Sequence, residues 1–294
     1  MRTDHNEGGI WGISIMQLKT LIQKRWVLSA EGYTAQVKDE LKNEGSIWKR
    51  YIEGIIAPKP GIKILEPCCG PGFLSIALSG DGRDITGVDE CSAMLEGAKS
   101  NAAQNRAFAN FIQGDCHRLP YPDESFDLVV ARNSLWTLYN PAEAYREWVR
   151  ILRPGGRLLI FDSNWGAEFY DQELMERKIK HRIKNKMPVE DHYYGDYNLG
   201  RELAVRSMLA NVKRPDWDFS VLSKVKMDIS VDLDSWKILW NEEKIKFYGY
   251  LPMFIINAKK TNRTKKIKKK VCHTIAKNTK EIIYGPNVSA EKSD

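Results

Sequence analysis

Hydrophobic residues recur at intervals of three, four and seven positions between Met16 and Ile56, and this spacing predicts that the segment is mostly helical. Pro58, Pro60 and Gly61 would end the helical segment just before the next apolar run. Downstream, short apolar runs alternate with amphipathic segments. The runs predict strands at about 62–66, 84–89, 109–113, 126–131 and 157–162, and the segments predict helices at about 73–79, 92–105 (with Ser92 as N-cap) and 141–152. This alternation indicates a parallel sheet covered by helices on both faces.

The pattern changes after Asp162. Two amphipathic helices are predicted at about 167–184 and 198–211, and two strand-like runs at 219–231 and 247–258 flank a short helix with Trp236 and Trp240. The helical insert follows a strand end, so we expect it to cover a pocket as a substrate lid, with an oligomer interface as the alternative. The chain then divides into an N-terminal helical cap (1–60), a Rossmann-like core (61–162), a helical lid insertion (163–216), the final strands of the core sheet (217–258) and a basic, disordered tail (259–294).

Composition and charge indicate a globular protein with a basic tail. Hydrophobic residues make up 43% of the chain and charged residues 28%, and no run of about 18 apolar residues or apolar leader occurs, so we expect a cytoplasmic protein without a membrane span. Of the net charge of +7, eight positive charges lie between Lys259 and Lys270, which leaves the rest of the chain nearly neutral. The tail is predicted to be a solvated appendage or a weak anchor for RNA or anionic lipid.

Four of the five cysteines follow predicted strands and are expected at one edge of the sheet: Cys68, Cys69, Cys91 and Cys116. An odd number of cysteines without an export signal indicates reduced thiols. A soft-metal or metalloid site is conceivable there, but the sequence has no C-x-x-C pair, and cysteine also fills tight turns as a small hydrophobe. We therefore predict no metal site.

The chemistry of the chain centres on the stretch Glu66-Pro67-Cys68-Cys69-Gly70-Pro71-Gly72, which follows the first strand, and on Asp89 at the end of the second strand. Gly70 and Gly72 let the backbone approach a ligand, and the two acids can accept hydrogen bonds from ribose hydroxyls. The turn lacks the G-x-G-x-x-G spacing that seats a pyrophosphate. An acid ahead of the glycines instead suits a cofactor with a cationic centre and an amino acid group, as in S-adenosylmethionine.

Several stretches together resemble a known family: residues 64–72, 87–95, 114–116, 119–127 and 152–156. In order and spacing they are similar to the class I S-adenosylmethionine-dependent methyltransferases of type 11, the group that includes ubiquinone and menaquinone methyltransferases. The resemblance covers about residues 60–162. It implies a seven-stranded, mostly parallel Rossmann-like sheet with an antiparallel last strand, and it makes residues 61–162 the cofactor-binding core.

The resemblance also implies roles for single residues in binding S-adenosylmethionine. Glu66, Gly70 and Gly72 would line its methionine and ribose part, and Asp89 would accept both ribose hydroxyls. Met94 would pack on the adenine, Asp115 would accept from its amine, and the Cys116 backbone N–H would face a ring nitrogen. Tyr33, or failing that Trp26, would close over the cofactor from the first helix, unless both serve only helix packing.

One position departs from the family pattern. Cys68 stands where the family usually has the first glycine of D/E-x-G-x-G-x-G. A side chain at this position would narrow the approach to the methionine carboxylate or require a different turn conformation.

The reaction expected from the resemblance is in-line methyl transfer to an O, N or C nucleophile of a small molecule. Candidates near the expected pocket are His117, Arg132, Asn133 and, on the lid, His192, although each can also be structural. Arg132 can additionally clamp a carboxylate or line the cofactor site. One alternative is an RNA methyltransferase that uses the basic tail, but no N-P-P-Y or D-P-P-Y tetrad follows the fourth strand to support it. The other alternative is a non-catalytic cofactor-binding protein. The chain is expected to be a monomer or homodimer.

Overall fold

The computed structural model describes residues 13–57, 59–190, 196–261 and 270–271, and its centre is a single mixed sheet. The strands are β1 (Lys63–Pro67), β2 (Asp84–Asp89), β3 (Asn110–Gln113), β4 (Phe126–Arg132), β5 (Leu152–Asp162), β6 (Met227–Asp232), β7 (Phe254–Lys260) and β8 (Lys270–Val271). They lie in the order β3-β2-β1-β4-β5-β7-β6-β8, and β7 runs antiparallel to both of its neighbours. The predicted mostly parallel sheet with an antiparallel last strand is confirmed, and the two-residue β8 adds a parallel partner to β6.

The helices connect the strands and surround the sheet. They are α1 (Ile15–Ile56), α2 (Phe73–Ala77), α3 (Ser92–Gln104), α4 (Pro141–Ile151), α5 (Gln172–Lys184), α6 (Tyr197–Arg206), α7 (Asp216–Leu222), α8 (Trp236–Leu239) and α9 (Glu242–Tyr248), with short 3-10 helices at Leu135–Thr137 and Ala167–Phe169. A capping box between Ser14 and Gln17 begins the 42-residue α1. Asn140 caps α4, whose first residue is Pro141.

Both faces of the sheet are buried, as expected for parallel strands. On one face, strand residues such as Leu65 and Val129 pack with Tyr145 and Trp148 of α4. On the other face, their neighbours Ile64 and Leu128 pack under α1 and α2, among Trp48, Tyr51 and Phe73. Successive residues of a strand thus pack into opposite layers of the core, and α1 supplies much of the layer on its own side of the sheet.

The second half of the chain differs from the prediction. The strand-like run predicted at 219–231 begins as α7, and the run predicted at 247–258 begins inside α9, so β6 and β7 start only at Met227 and Phe254. A short apolar run in a sequence fits a strand and a buried helix equally well. Here Phe219 and Leu222 pack into the core from a helix. The N-cap of α3 is Cys91 and not Ser92, and β5 begins at Leu152, where a helix end was predicted.

The insert between β5 and α7 is fixed at its two ends by Arg214. The Arg214 guanidinium lies 2.7 Å from Asp162 at the end of β5 and 2.8 Å from Asp218 in α7, and all three residues are buried. Asn164 also exchanges two hydrogen bonds with the Arg214 backbone. The insert therefore leaves and rejoins the core at one place beside the carboxyl edge of the sheet. Within the described ranges, no helix combines the length and apolarity needed to cross a membrane.

Candidate functional site

The carboxyl ends of β1, β2 and β4 and the turn after β3 surround a cavity of about 980 Å³, counting the space open to solvent, which we call the glycine-turn cavity. Because these strands run parallel, their polar end residues meet at one edge. The structure brings together nearly all the predicted site residues as lining: Tyr33, Glu66, Cys68, Gly70, Asp89, Met94, Asp115, Cys116, His117, Arg132 and Asn133. Gly72 is not part of the lining. A Cβ there would lie 3.1 Å from the Phe111 ring of β3 and 3.2 Å from the Ala98 Cβ of α3, so this glycine allows the turn to pack closely against both elements.

Left-handed backbone shapes the turn after β1. Cys68, Gly70 and Gly72 have φ values of 55°, 50° and 83°. The Cys68 N–H donates to the Cys116 Sγ at 3.0 Å, and the Gly70 N–H donates to the Asp89 carboxylate at 2.8 Å. Cys68 thus keeps a glycine-like conformation, at the cost of about 1–2 kcal/mol for a side chain in the left-handed region. The hydrogen bond with Cys116, together with burial, raises the pKa of the Cys68 thiol well above its usual value, so the thiol stays protonated.

Glu66 is buried beneath the turn and is held by helix α2. Its carboxylate accepts hydrogen bonds from the Leu74 and Ser75 backbone N–H groups and from the Ser75 hydroxyl, at 3.3, 2.7 and 2.6 Å. These bonds satisfy free N–H groups in the first turn of α2. Burial raises the pKa of Glu66 to about 7, although the bonds from Ser75 oppose the shift. Its first role in this structure is to fix the turn.

Asp89 bridges the glycine turn to the start of α3. One carboxylate oxygen accepts from the Gly70 N–H and the other from the Cys91 N–H, at 2.8 and 2.9 Å. A carboxylate can accept about four hydrogen bonds, so Asp89 keeps capacity for a ligand hydroxyl. Met94, one helical turn further along the chain, is buried against Trp26 and Tyr33 of α1, so it forms an apolar wall next to the acid.

Asp115, His117 and Tyr139 form a second polar group of the cavity. His117 donates its Nδ1 hydrogen to Asp115 at 2.7 Å, its Nε2 accepts the Asn140 N–H at 3.3 Å, and its ring stacks on Tyr139 with centroids 3.7 Å apart. Burial lowers the pKa of His117, so the imidazole is neutral with both nitrogens engaged. Burial acts to raise the pKa of Asp115, but the bonds from His117 and from the Tyr139 hydroxyl hold it below its usual value.

The side chain of Arg132 is 7% exposed and is paired with an acid that the sequence pattern did not single out. Its guanidinium lies 2.6 Å from Glu40 of α1 and 3.9 Å from the centre of the Phe73 ring. Glu40 also contacts Lys244 of α9 at 3.0 Å, and Lys244 lies 2.6 Å from Glu44. Burial alone would raise the pKa of Glu40, but Arg132 and Lys244 lower it to about 2. The sequence held a signal for this network, because Glu40 and Glu44 lie on the apolar stripe of α1 beside Leu41 and Trp48.

A second cavity, of about 1080 Å³ including its open side, adjoins the first, and we call it the aromatic cavity. Rings from four parts of the chain line it: Trp26, Tyr33, Trp136, Trp165, Trp240, Tyr248 and Tyr250. The Trp26 and Trp136 rings pack edge-on with centroids 6.3 Å apart, and the Trp165 and Tyr248 rings do so with centroids 5.5 Å apart. The two cavities have four residues in common, namely Trp26, Tyr33, Arg132 and Asn133.

The remaining predictions concern His192 and the metal. His192 lies outside the described residues. Among those that are described, no cluster of three or more His, Cys, Asp or Glu side chains is arranged to hold a metal ion. Sequence reasoning missed Glu40, Tyr139 and Glu168. Glu40 contacts Arg132 across 92 positions of sequence and Tyr139 contacts Asp115 across 24, while Glu168 lies outside the motifs and contacts Lys178 and Tyr250.

The strands and turns that form this edge of the sheet lie in a segment that is similar to known proteins. Residues 65–160 match the model of the type 11 methyltransferase domain family. A demethylmenaquinone methyltransferase of Staphylococcus aureus is 31% identical over 121 residues, which are 40% of this chain and 50% of that protein. An uncharacterized 37.1 kDa protein in transposon TN4556 of Streptomyces fradiae is 29% identical over 201 residues, 66% of this chain and 55% of that protein. The chain thus spans about half the length of these curated relatives.

Among solved structures, the fold is similar to a chain in the complex between the Haloferax volcanii Trm112 methyltransferase activator and a methyltransferase. The TM-score is 0.52 at 14% identity, with 82% of this chain and 98% of that chain covered. At this identity the likeness shows the fold alone. The family match falls on the strands and turns that build the glycine-turn cavity. Residues 65–160 of this chain therefore match the methyltransferase domain of the type 11 family.

Proposed function

We propose that the chain is a methyltransferase that binds S-adenosylmethionine in the glycine-turn cavity and methylates a small molecule held in the aromatic cavity. The observation that carries the proposal is the wall that the two cavities share, formed by Trp26, Tyr33, Arg132 and Asn133. Because these residues line both cavities, a donor bound in one cavity and an acceptor bound in the other would lie side by side. A cavity of about 1080 Å³ also has the size of a small-molecule site.

The residues of the glycine-turn cavity fit the cofactor. Gly70 is left-handed, and a Cβ there would lie 3.5 Å from the Tyr33 ring, so its absence keeps the space above the turn open. The buried Ser134 hydroxyl, which lines the same cavity, has no hydrogen-bond partner and can serve a polar ligand. Asp89 would hold the ribose hydroxyls, while Met94 and Asp115 would flank the adenine.

When bound, this cofactor supplies a methyl group on a positively charged sulfur. The chain's own contribution would be to position the acceptor and to exclude water with aromatic walls. Among the described residues, His117 is the only histidine that lines either cavity, and both of its nitrogens are engaged. We therefore assign His117 to the adenine side, as a positioning residue for Asp115, and not to proton removal. Arg132 would form a positive wall whose charge is balanced by Glu40.

The test is methyl transfer from labelled S-adenosylmethionine into a cell extract that is then separated into small-molecule, RNA and protein fractions. We expect label in the small-molecule fraction, and none with an Asp89→Ala variant, which removes the predicted ribose contact. Label in RNA would instead favour an RNA methyltransferase that uses the basic tail. Cofactor binding without label in any fraction would favour a non-catalytic binding protein.

A further inference from the structure

Two neighbouring residues of the aromatic cavity, Trp165 and Glu168, each have a buried polar atom without a hydrogen-bond partner. The two atoms are the Nε1 donor of Trp165 and the Oε2 acceptor of Glu168, and both residues line the cavity. Glu168 is only 6% exposed. A buried donor or acceptor without a partner costs about 1–3 kcal/mol, so such atoms are uncommon in folded proteins unless a ligand satisfies them.

The turn that presents these two atoms is rigid. Gly166 is left-handed with φ 83°, and a Cβ there would lie 2.6 Å from the Ala204 carbonyl oxygen, so α6 packs directly on the turn. The Trp165 ring is held edge-on against Tyr248. The 3-10 helix Ala167–Phe169 then carries Glu168 beneath the same side of the cavity. The unpartnered donor and acceptor are thus three residues apart on one fixed segment.

The charge of Glu168 is already balanced. Its Oε1 atom lies 3.1 Å from the Lys178 ammonium and 3.3 Å from the Tyr250 hydroxyl. Both charged side chains are buried, at 4% and 5% exposure. The free oxygen therefore belongs to a neutralised pair and offers a hydrogen-bond acceptor more than a net negative charge.

The rest of the cavity also argues against a cationic ligand. Its other acid, Glu40, is paired with both Arg132 and Lys244. Arg25 contributes a further positive charge to the lining. Although aromatic rings attract cations, these lining charges do not add up to a negative field. The chemistry that suits the site is a neutral, flat ring that stacks among the aromatic side chains.

We propose that Trp165 and Glu168 are specificity residues that bind a hydroxyl group on a neutral, flat ring compound. The hydroxyl hydrogen would be donated to the Glu168 Oε2 atom, and the hydroxyl oxygen would accept from the Trp165 Nε1 hydrogen, since one hydroxyl can do both. The acceptor of the methyl group is then a hydroxylated ring compound. This assignment rests on the proposed function only in calling the ligand the acceptor, because the binding site itself does not depend on turnover.

The test is equilibrium binding to the full chain, measured by tryptophan fluorescence and calorimetry with and without S-adenosylmethionine. The probes are 2-naphthol, naphthalene and 2-naphthylmethylammonium, which share one ring system but differ in the polar group. We expect 2-naphthol to bind at least about tenfold more tightly than either of the others, since a site built for a hydroxyl rejects analogues that leave its polar atoms unpaired. Equal affinities, tighter binding of the ammonium, or no binding of 2-naphthol would overturn the proposal.

Two variants separate this role from general packing. Trp165→Phe keeps a ring but removes the free donor, and it should weaken the binding of 2-naphthol about tenfold more than the binding of naphthalene, since both probes lose the same ring contact. The matched control is Trp136→Phe, because the Trp136 Nε1 hydrogen already bonds to the Asn133 carbonyl at 3.0 Å. It should change both affinities alike. If Trp165→Phe also changes both alike, the hydroxyl contact is refuted.

The outcome is distinguishable from that of the proposed function. Selective 2-naphthol binding without label transfer to any small molecule would refute catalysis and leave the hydroxyl site standing. If the wild-type chain transfers label to small molecules but binds the three probes with equal affinity, catalysis stands and the hydroxyl site is refuted.

Discussion

Replacing Glu40 with Gln removes the negative charge from the buried ion pair with Arg132, and this should lower the stability of the folded protein. Glu40 lies on α1, its partners Arg132 and Lys244 lie on β4 and α9, and its side chain is 6% exposed. The pair therefore ties three elements together at the wall between the two cavities. A neutral amide keeps the shape of the side chain but leaves the Arg132 charge uncompensated.

The magnitude follows from the pKa of Glu40. The fall from 4.5 to about 2 corresponds to ~3 kcal/mol at about 1.36 kcal/mol per pKa unit. Because the folded pKa is lowered, the stabilisation is complete above the ordinary pKa and is lost as the pH falls from about 4.5 towards 2. We expect Glu40→Gln to lower the free energy of unfolding by ~3 kcal/mol at pH 7.5, and the gap to wild type to narrow by ~1 kcal/mol at pH 4.

The assay is urea denaturation at both pH values, followed by far-ultraviolet circular dichroism. Glu96→Gln is the matched control, since Glu96 pairs with Lys99 on the surface of α3 at 72% exposure. That variant should lie within about 0.5 kcal/mol of wild type. A loss below about 1 kcal/mol for Glu40→Gln at pH 7.5, or a gap that does not narrow at pH 4, would refute the buried ion pair.

Three further predictions concern the glycine-turn cavity. Gly70→Ala and Gly155→Ala should each lower the free energy of unfolding by about 1–2 kcal/mol, because both glycines are left-handed. Only Gly70→Ala should also weaken the binding of S-adenosylmethionine in calorimetry, and equal affinities of the two variants would contradict the assigned cavity. Cys68→Gly should keep cofactor affinity within about threefold, since the turn is already glycine-like, and loss of binding would show that the side chain is needed. Tyr139→Phe removes a bond to Asp115 but keeps the ring on His117, so the pKa of Asp115 should rise in a carboxyl-carbon NMR titration; an unchanged pKa would disprove the contact.

The sequence predicted the first half of the fold well for a physical reason. Between Lys63 and Asp162 every strand except the edge strand β3 is largely a buried apolar run bounded by turn residues, so local pattern and final structure agree. After Asp162 the agreement weakens. The short helices α7 and α9 have too few turns to show a helical period. Residues of α7 such as Phe219 and Leu222 pack on the core from a helix, which no local pattern indicates.

The sequence predicts the site residues that belong to the strand-end motifs. It does not predict the side chains from distant parts of the chain that pair with them. The strand ends placed Glu66, Asp89 and Asp115 at one edge, and Cys68 was identified as the irregular position, although only coordinates give its left-handed φ of 55°. Pairs such as Arg132 with Glu40 join residues 92 positions apart, and no local pattern encodes them. The ligand roles assigned to these residues stay predictions until binding is measured.

The 42-residue helix α1 bears on where the functional unit begins. The family match starts at residue 65, yet α1 ends at Ile56 and supplies Val37, Trp48, Tyr51 and Ile52 to one core layer. The Trp48 indole also donates to the Leu239 carbonyl oxygen at 3.1 Å, from the far end of the fold. Cutting the chain at the start of the matched segment would expose that face of the sheet and remove Trp26, Tyr33 and Glu40 from the cavity walls. The matched segment is thus not a module that can be transplanted, because the same helix completes both the hydrophobic core and the site.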